Sequence, residues 1–155
     1  MRKLLLLSLL GMAAGCQSTP QVIENVHTGS KVYAGGVTNA APGLTSNLNV
    51  RPFYSVQTGY GFNTSYSNYG WLFISEAWSF GKRLNYEKRD SNVTMCAGAG
   101  GCITVENGVV HLSEAEFRKA AESGFAFQLR GSSGEVTGKI PAAKFRDVLN
   151  LKNRS

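Results

Sequence analysis

Three cysteines, two histidines and ten carboxylates are the residues of this 155-residue chain that could do chemistry, and their spacing divides them into separate tasks. Cys96 and Cys102 enclose Ala97-Gly98-Ala99-Gly100-Gly101, a run of tiny residues that bends easily enough to bring two sulfurs together. In an exported chain, where thiols oxidise, a disulfide is the expectation for such a pair. The rival is a metal or thiol site. Asn107-Gly108 has the composition of a type I′ hairpin turn, which would pair Glu106 with Val109, Val105 with Val110, Thr104 with His111 and Ile103 with Leu112. Side-chain alternation then puts Cys102, Thr104 and His111 on one polar face and Ile103, Val105, Val110 and Leu112 on an apolar one. A Cys96/Cys102/His111 set is conceivable but lacks a fourth ligand, since the other histidine, His27, lies in a polar leader. The bridge is therefore expected, with no metal and no cofactor, and His111 as a half-exposed strand residue.

Carboxylate chemistry is equally thin. The chain has no H-E-x-x-H, no G-x-S-x-G and no phosphate loop. Glu76, two residues from Trp78, is the most suggestive acid, because an apolar surround raises a carboxyl pKa toward the range of acid catalysis. It has no evident partner, and a solvent-facing strand glutamate is the plainer reading. No catalytic residue is assigned, and the chain is expected not to be an enzyme.

The third cysteine carries an address. Met1-Arg2-Lys3 is a positive start, Leu4 to Leu10 is a leucine run broken only by Ser8, and Gly11-Met12-Ala13-Ala14-Gly15 leads to Cys16. This is an export signal too short to span a bilayer. It resembles the lipobox of bacterial lipoproteins, with Ala13 where that family usually has Leu. The resemblance implies a diacylglyceryl thioether on Cys16, cleavage of residues 1–15, and an acylated, palmitate-bearing N-terminus. Gln17 rather than Asp follows the cysteine, which by resemblance to enterobacterial sorting favours the outer membrane, facing the periplasm or the surface. The alternative is an ordinary secretory signal cut after Ala14 or nearby. Two acyl chains already suffice for stable anchoring, so the membrane is the first expected partner.

Removing Arg2 and Lys3 with the signal lowers the formal charge from +6 to +4. Lys82, Arg83, Lys88 and Arg89 cluster, as do Lys139, Lys144, Arg146, Lys152 and Arg154, but neither group lies in a nucleic-acid motif. The surplus suits solubility and attraction to anionic envelope surfaces.

Local patterns beyond Leu112 are explicit. Ser113 and Glu116 form an S-x-x-E capping box opening a helix over about 114–123, with Phe117, Ala120 and Ala121 as its apolar stripe and Gly124 as its left-handed terminator. Phe125, Phe127 and Leu129 alternate with polar residues, and Gly131-Ser132-Ser133-Gly134 turns the chain so that Arg130 meets Glu135, Leu129 meets Val136, Phe127 meets Gly138 and Phe125 meets Ile140. Pro141 opens a second helix over about 141–151, whose Ala142, Phe145, Val148 and Leu149 share a face. The fold class is α+β, a single small domain of mainly antiparallel sheet with two short helices. Residues 95–151, with Gly101-Cys102, the helix ending at Gly124, the turn at Gly131 to Gly134 and the helix holding Phe145 and Leu149, resemble the invasion-associated locus B family of exported bacterial proteins. That resemblance implies envelope biology and host association without a catalytic triad.

Most aromatic residues fall between Phe53 and Tyr86. Strands are expected near Val50 to Gly59, Trp71 to Phe80 and Arg83 to Lys88, with Tyr60 to Gly70 a long polar loop. Trp71, Phe73, Trp78 and Phe80 are expected in the core. Tyr60, Tyr66 and Tyr69 form the candidate binding surface, for an envelope protein or for a glycan such as peptidoglycan or lipopolysaccharide. Residues 16–49 are polar, with Pro20, Pro42 and Gly35-Gly36, and read as a lipidated tether spanning about 30 Å, with Val32-Tyr33-Ala34 a possible edge strand and the α+β domain filling 50–155. The functional expectation is a lipid-anchored interaction or structural lipoprotein. The alternatives are a glycan-binding module and, third, a hydrolase around Glu76.

Overall fold

The computed structural model describes residues 19–96, 98 and 101–155; Cys16 and the signal segment 1–15 lie outside them. The elements are β1 (Gln21–Asn25), β2 (Ser30–Ala34), β3 (Thr38–Pro42), β4 (Asn47–Ser55), β5 (Gly59–Tyr69), β6 (Ile74–Ser79), β7 (Lys82–Cys96), β8 (Cys102–Leu112), α1 (Glu114–Ser123), β9 (Phe125–Gly131), β10 (Gly134–Ile140) and α2 (Ala142–Asn153). Nine strands lie in the order β1-β2-β4-β5-β8-β7-β6-β9-β10, and β3 also pairs with β4. This is the expected α+β domain. Among the described residues, no helix is long and apolar enough to cross a membrane.

The sheet curls because β7 changes partners. Its start, Lys82–Leu84, pairs with β6, and from Asn85 onward it runs along β8. The β9–β10 hairpin is thereby carried across the inner face of β5, where Phe62 meets Phe125 and Phe127 at ring-centroid distances of 5.8 and 4.8 Å. Helix α1 packs on β5, and α2 packs on β2 and β4. Phe117 joins them, 4.8 Å from Tyr60 and 4.9 Å from Phe145. Phe62, Phe117 and Phe145 are fully buried, and truncating any such ring to Ala typically costs about 3–5 kcal/mol.

The C-terminal half follows its local signals. Ser113 caps α1: its side chain accepts from the Glu116 N–H, and Glu116 Oε2 reaches back to the Ser113 N–H at 2.9 Å. Lys82 Nζ and Ser113 donate to the Glu116 carboxylate, and these bonds hold its pKa down at about 2. Gly124 has φ 80°, as expected of a helix terminator, but an extended ψ of 179°; its N–H donates to Ala120 O at 2.8 Å. The β9–β10 register pairs Arg130 with Glu135, Leu129 with Val136, Phe127 with Gly138 and Phe125 with Ile140, as expected.

Elsewhere long-range pairing overrides local composition. Asn107-Gly108 is not a turn. It lies in the middle of β8, where Asn107 pairs with Ser65 and Gly108 pairs with Thr64 on one side and Lys88 on the other. Two flanking strands satisfy the backbone groups that a turn would have left to water, and the Tyr86 ring occupies the space where a Gly108 Cβ would stand. With β8 continuous, Thr104, Glu106, Gly108, Val110 and Leu112 face inward, whereas Ile103, Val105 and His111 share the other face. His111 is thus on the opposite side from Cys102 and Thr104.

Tyr60–Gly70 is not a loop either. Tyr60, Phe62, Thr64 and Tyr66 point inward and alternate with Gly61, Asn63, Ser65 and Ser67 along β5, a period of two that small polar residues disguise. The stretch expected to be a tether supplies β1, β2 and β3 to the same sheet, so the domain extends to Gln21 rather than starting at residue 50. β2 is no edge, being flanked by β1 and β4.

Candidate functional site

The expected division of aromatics between core and surface is nearly reversed. Tyr60 and Tyr66 are each 6% exposed and belong to the core, while Phe73 is 50% and Phe80 93% exposed, with Trp71 and Trp78 half-buried. Tyr69, at the end of β5, is 50% exposed and is the one member of the tyrosine set on the surface. The reversal has a backbone cause. Phe80 and Gly81 form the two-residue turn between β6 and β7, with φ of 46° and 81°, and a turn tip cannot point into a core. Phe73 has φ 56°, an unusual conformation for a bulky residue.

What holds Phe73 there is Glu106. This carboxylate is 2% exposed and lies on the inner face of β8. Its Oε2 accepts from the Leu72 N–H at 2.7 Å and the Phe73 N–H at 3.2 Å, and its Oε1 accepts from the Ile74 N–H at 2.8 Å. Three successive amides curled about one carboxylate make a nest that offsets the charge without any cation. Further bonds fix both ends of the segment. Thr104 Oγ1 donates to Gly70 O at 2.8 Å, with Asn68 O at 3.2 Å, and the Ser133 N–H donates to Leu72 O at 3.2 Å. Gly131 passes beneath: a Cβ there would collide with Leu72 O and lie 2.6 Å from the Phe73 carbonyl carbon. Clamped this way, the segment sends Leu72 inward, 8% exposed, and presents Trp71 and Phe73 outward with their rings 6.3 Å apart. Tyr69, Trp71 and Phe73 form a knuckle at the end of β5, preorganised by a buried acid.

Around Glu106 the interior is polar and incompletely satisfied. The buried hydroxyls of Tyr86 and Thr64 reach no partner at good hydrogen-bond geometry among the described residues. Burial pushes the Tyr86 pKa up to about 12; Thr64 nearby opposes the shift and the Glu106 charge adds to it. Such a phenol favours the fold below its unfolded pKa of about 10 and loses that contribution as pH rises from 10 toward 12. Tyr86→Phe is therefore expected to remove that alkaline loss and to leave neutral-pH stability within about 1 kcal/mol of the parent, on the stabilising side, because the hydroxyl has no partner to lose. Denaturant unfolding from pH 8 to 12, with phenolate absorbance followed in parallel, checks this. An unchanged alkaline limb in Tyr86→Phe would contradict it.

The remaining sequence candidates fall apart as a catalytic or metal set. Cys96 and Cys102 are bridged and form the last register pair of the β7–β8 ladder. His111 Nε2 lies 3.3 Å from Glu87 Oε2, turned away from both sulfurs. Among the described residues no group of His, Cys, Asp and Glu could hold a metal ion. Glu76 accepts from Trp78 Nε1 at 2.9 Å and pairs with Arg83 at 3.1 Å, so both carboxylate oxygens are occupied. Lys152 Nζ donates to the Tyr60 hydroxyl at 2.7 Å and stands 4.1 Å from the Tyr54 ring centre, and the Tyr60 hydroxyl holds its pKa above the ordinary lysine value. This ties α2 to the sheet.

Sequence reasoning missed Glu106, Thr104 and Gly131. For Thr104 and Glu106 the signal is the period of two along Cys102–Leu112, which places them on the same face as Val110 and Leu112 and emerges only once Asn107-Gly108 is read as strand; Gly131 carries no such signal. No family model matches this chain, and no curated protein or solved structure matches it either.

Proposed function

We propose that the protein is a lipid-anchored envelope lipoprotein that docks a protein partner through the Tyr69–Trp71–Phe73 knuckle. The observation that carries the reading is the Glu106 clamp, which keeps an apolar ring exposed on a left-handed backbone position. Exposure and strain of this kind cost free energy in the isolated molecule, and a buried polar clamp that maintains both is what a preorganised hot spot requires. The Arg130–Glu135 ion pair, one strand from the knuckle, supplies a polar rim. The partner is a protein with an apolar pocket that accepts Phe73 and the edge of Trp71. Lipid on Cys16 is supported by its lipobox-like setting, and because β1 opens at Gln21 the five intervening residue steps can reach no more than about 18 Å. The domain thus rides close to the outer-membrane surface rather than on a long tether.

The test is mild cross-linking of the full chain in its native envelope, followed by capture, with the Trp71→Ala/Phe73→Ala variant beside it. A discrete protein adduct that weakens at least roughly thirtyfold in the variant is expected, since a single hot-spot anchor is worth about 2 kcal/mol and two are removed. An adduct unaffected by the variant contradicts the reading. Retention on peptidoglycan that is lost in the Trp71→Ala/Phe73→Ala variant, with no protein adduct, would favour the glycan alternative, in which the same two rings stack on sugar.

A further inference from the structure

We propose that a second site, on the outer face of β4, β5 and β8, binds an acidic saccharide whose carboxylate is received by Arg51. Pairing across the strands lines up one row of Asn49, Ser65 and Asn107 and another of Arg51, Asn63 and Val109, of which Val109 is buried at 5% exposure. A β-bulge between Lys88 and Ser91 interrupts the adjoining β7, and Arg89 and Asp90, the residues within it, line the same cavity. The open depression holds about 290 Å³ and adjoins a second of about 250 Å³ that shares Asn63 and Arg89. Each is a little smaller than the roughly 300–1,000 Å³ typical of drug-sized ligand sites, a size for a single sugar unit in each.

Arg51 is the group that calls for a ligand. Its Nε donates to Gly35 O at 2.9 Å, but Nη2 is buried without a hydrogen-bond partner among the described residues. A desolvated donor on a charged group is more costly than a neutral one, and a guanidinium is shaped to satisfy a carboxylate bidentately. The rest of the lining matches a sugar rather than a bare anion. Asn49, Asn63 and Asn107 offer both donors and acceptors, as hydroxyl and N-acetyl groups require. Asn107 Nδ2 donates to Asp90 Oδ2 at 3.1 Å, and Arg89 pairs with Glu87 at 3.1 Å. Asp90, which lines the cavity, accepts hydrogen bonds from sugar hydroxyls. Asn49, Ser65, Asn63 and Val109 are paired on both sides and Arg51 and Asn107 on one, so the strands that carry the rows are already in place.

The experiment is calorimetric titration of the full chain with N-acetylmuramic acid and glucuronic acid, against N-acetylglucosamine and glucose as neutral counterparts and lactate and inorganic phosphate as bare anions. The acidic sugars are expected to bind about tenfold or more tighter than their neutral counterparts, the value of one charge-assisted contact. Arg51→Met should abolish that preference and leave the neutral sugars where they were. Arg51→Lys, which keeps the charge without the planar fork, should weaken the acidic sugars by a smaller factor and serves if Arg51→Met fails to fold. Trp71→Ala should change nothing here, which separates this site from the knuckle. Equal affinity for acidic and neutral sugars, lactate or phosphate binding as tightly as the acidic sugars, or no saccharide binding at all would each overturn the proposal.

Discussion

Glu106→Ala is expected to destabilise the fold by on the order of 4 kcal/mol and to release the knuckle. Removing the carboxylate leaves the Leu72 and Ile74 amides buried with no acceptor and the Phe73 amide with none nearby. Each buried unsatisfied donor costs about 1–3 kcal/mol, and the bonds lost are to a charged acceptor. Against a total stability of about 5–15 kcal/mol for a domain of this kind, that is a large share, and Tm should fall by roughly 10 °C. Glu106→Gln distinguishes charge from shape. It retains one carbonyl acceptor but turns an NH₂ group toward amide donors, so a loss of about 2 kcal/mol is expected. Denaturant unfolding measures both variants, and Trp fluorescence reports whether Trp71 leaves its fixed position. Stability within 1 kcal/mol of the parent in Glu106→Ala would mean that the three amides find other acceptors and that the clamp is not what shapes the segment.

Gly131→Ala should produce the second largest effect, for the complementary reason. The added methyl would occupy the space of Leu72 O and approach the Phe73 carbonyl carbon to 2.6 Å; these are backbone atoms, held by Glu106 and unable to swing aside as a side chain can. Either β6 separates from β9 near the Ile74–Gly131 pair or the segment is pushed outward, and overpacking of this kind costs about 3 kcal/mol. Gly134, whose φ is 144°, lies on the same turn but faces only the end of the Leu72 side chain, at 3.2 Å. The contrast makes the experiment specific: Gly131→Ala should both destabilise and disturb Trp71. An alanine tolerated at 131 without a change in stability would show that the close approach is not maintained in solution.

The two effects converge on one short segment, and the sequence conceals that segment for a physical reason. Short-range chemistry fixes α1, with Ser113 and Glu116 capping each other, and the β9–β10 register, where a Gly-rich turn sets which residues meet; both are legible without knowing anything else about the chain. The Cys96–Cys102 bridge belongs to the same class, a local closure through tiny residues. By contrast, β5 and β8 exist because they pair with each other across some forty residues, and their composition is polar or turn-like when read alone. Asn107-Gly108 is the sharpest case. A residue pair that makes a hairpin in isolation becomes mid-strand when two partners compete for its backbone and an aromatic ring, Tyr86, needs the space above the glycine. Reading it as a turn reverses the facing of Glu106, and with it the site is lost. The aromatics mislead for a related reason, since Phe73 and Phe80 occupy left-handed positions that hydrophobicity alone would never assign to them.

The most direct test of the account is to replace Phe73 with a photoreactive phenylalanine analogue in the full chain, irradiate intact envelopes, and compare the products with those from the same analogue at Phe80. If the clamped knuckle is the docking surface, position 73 gives one discrete protein adduct, position 80 does not, and Glu106→Gln suppresses the adduct while the domain stays folded. Equal labelling from both positions, or an adduct from 73 that is indifferent to Glu106, would contradict it.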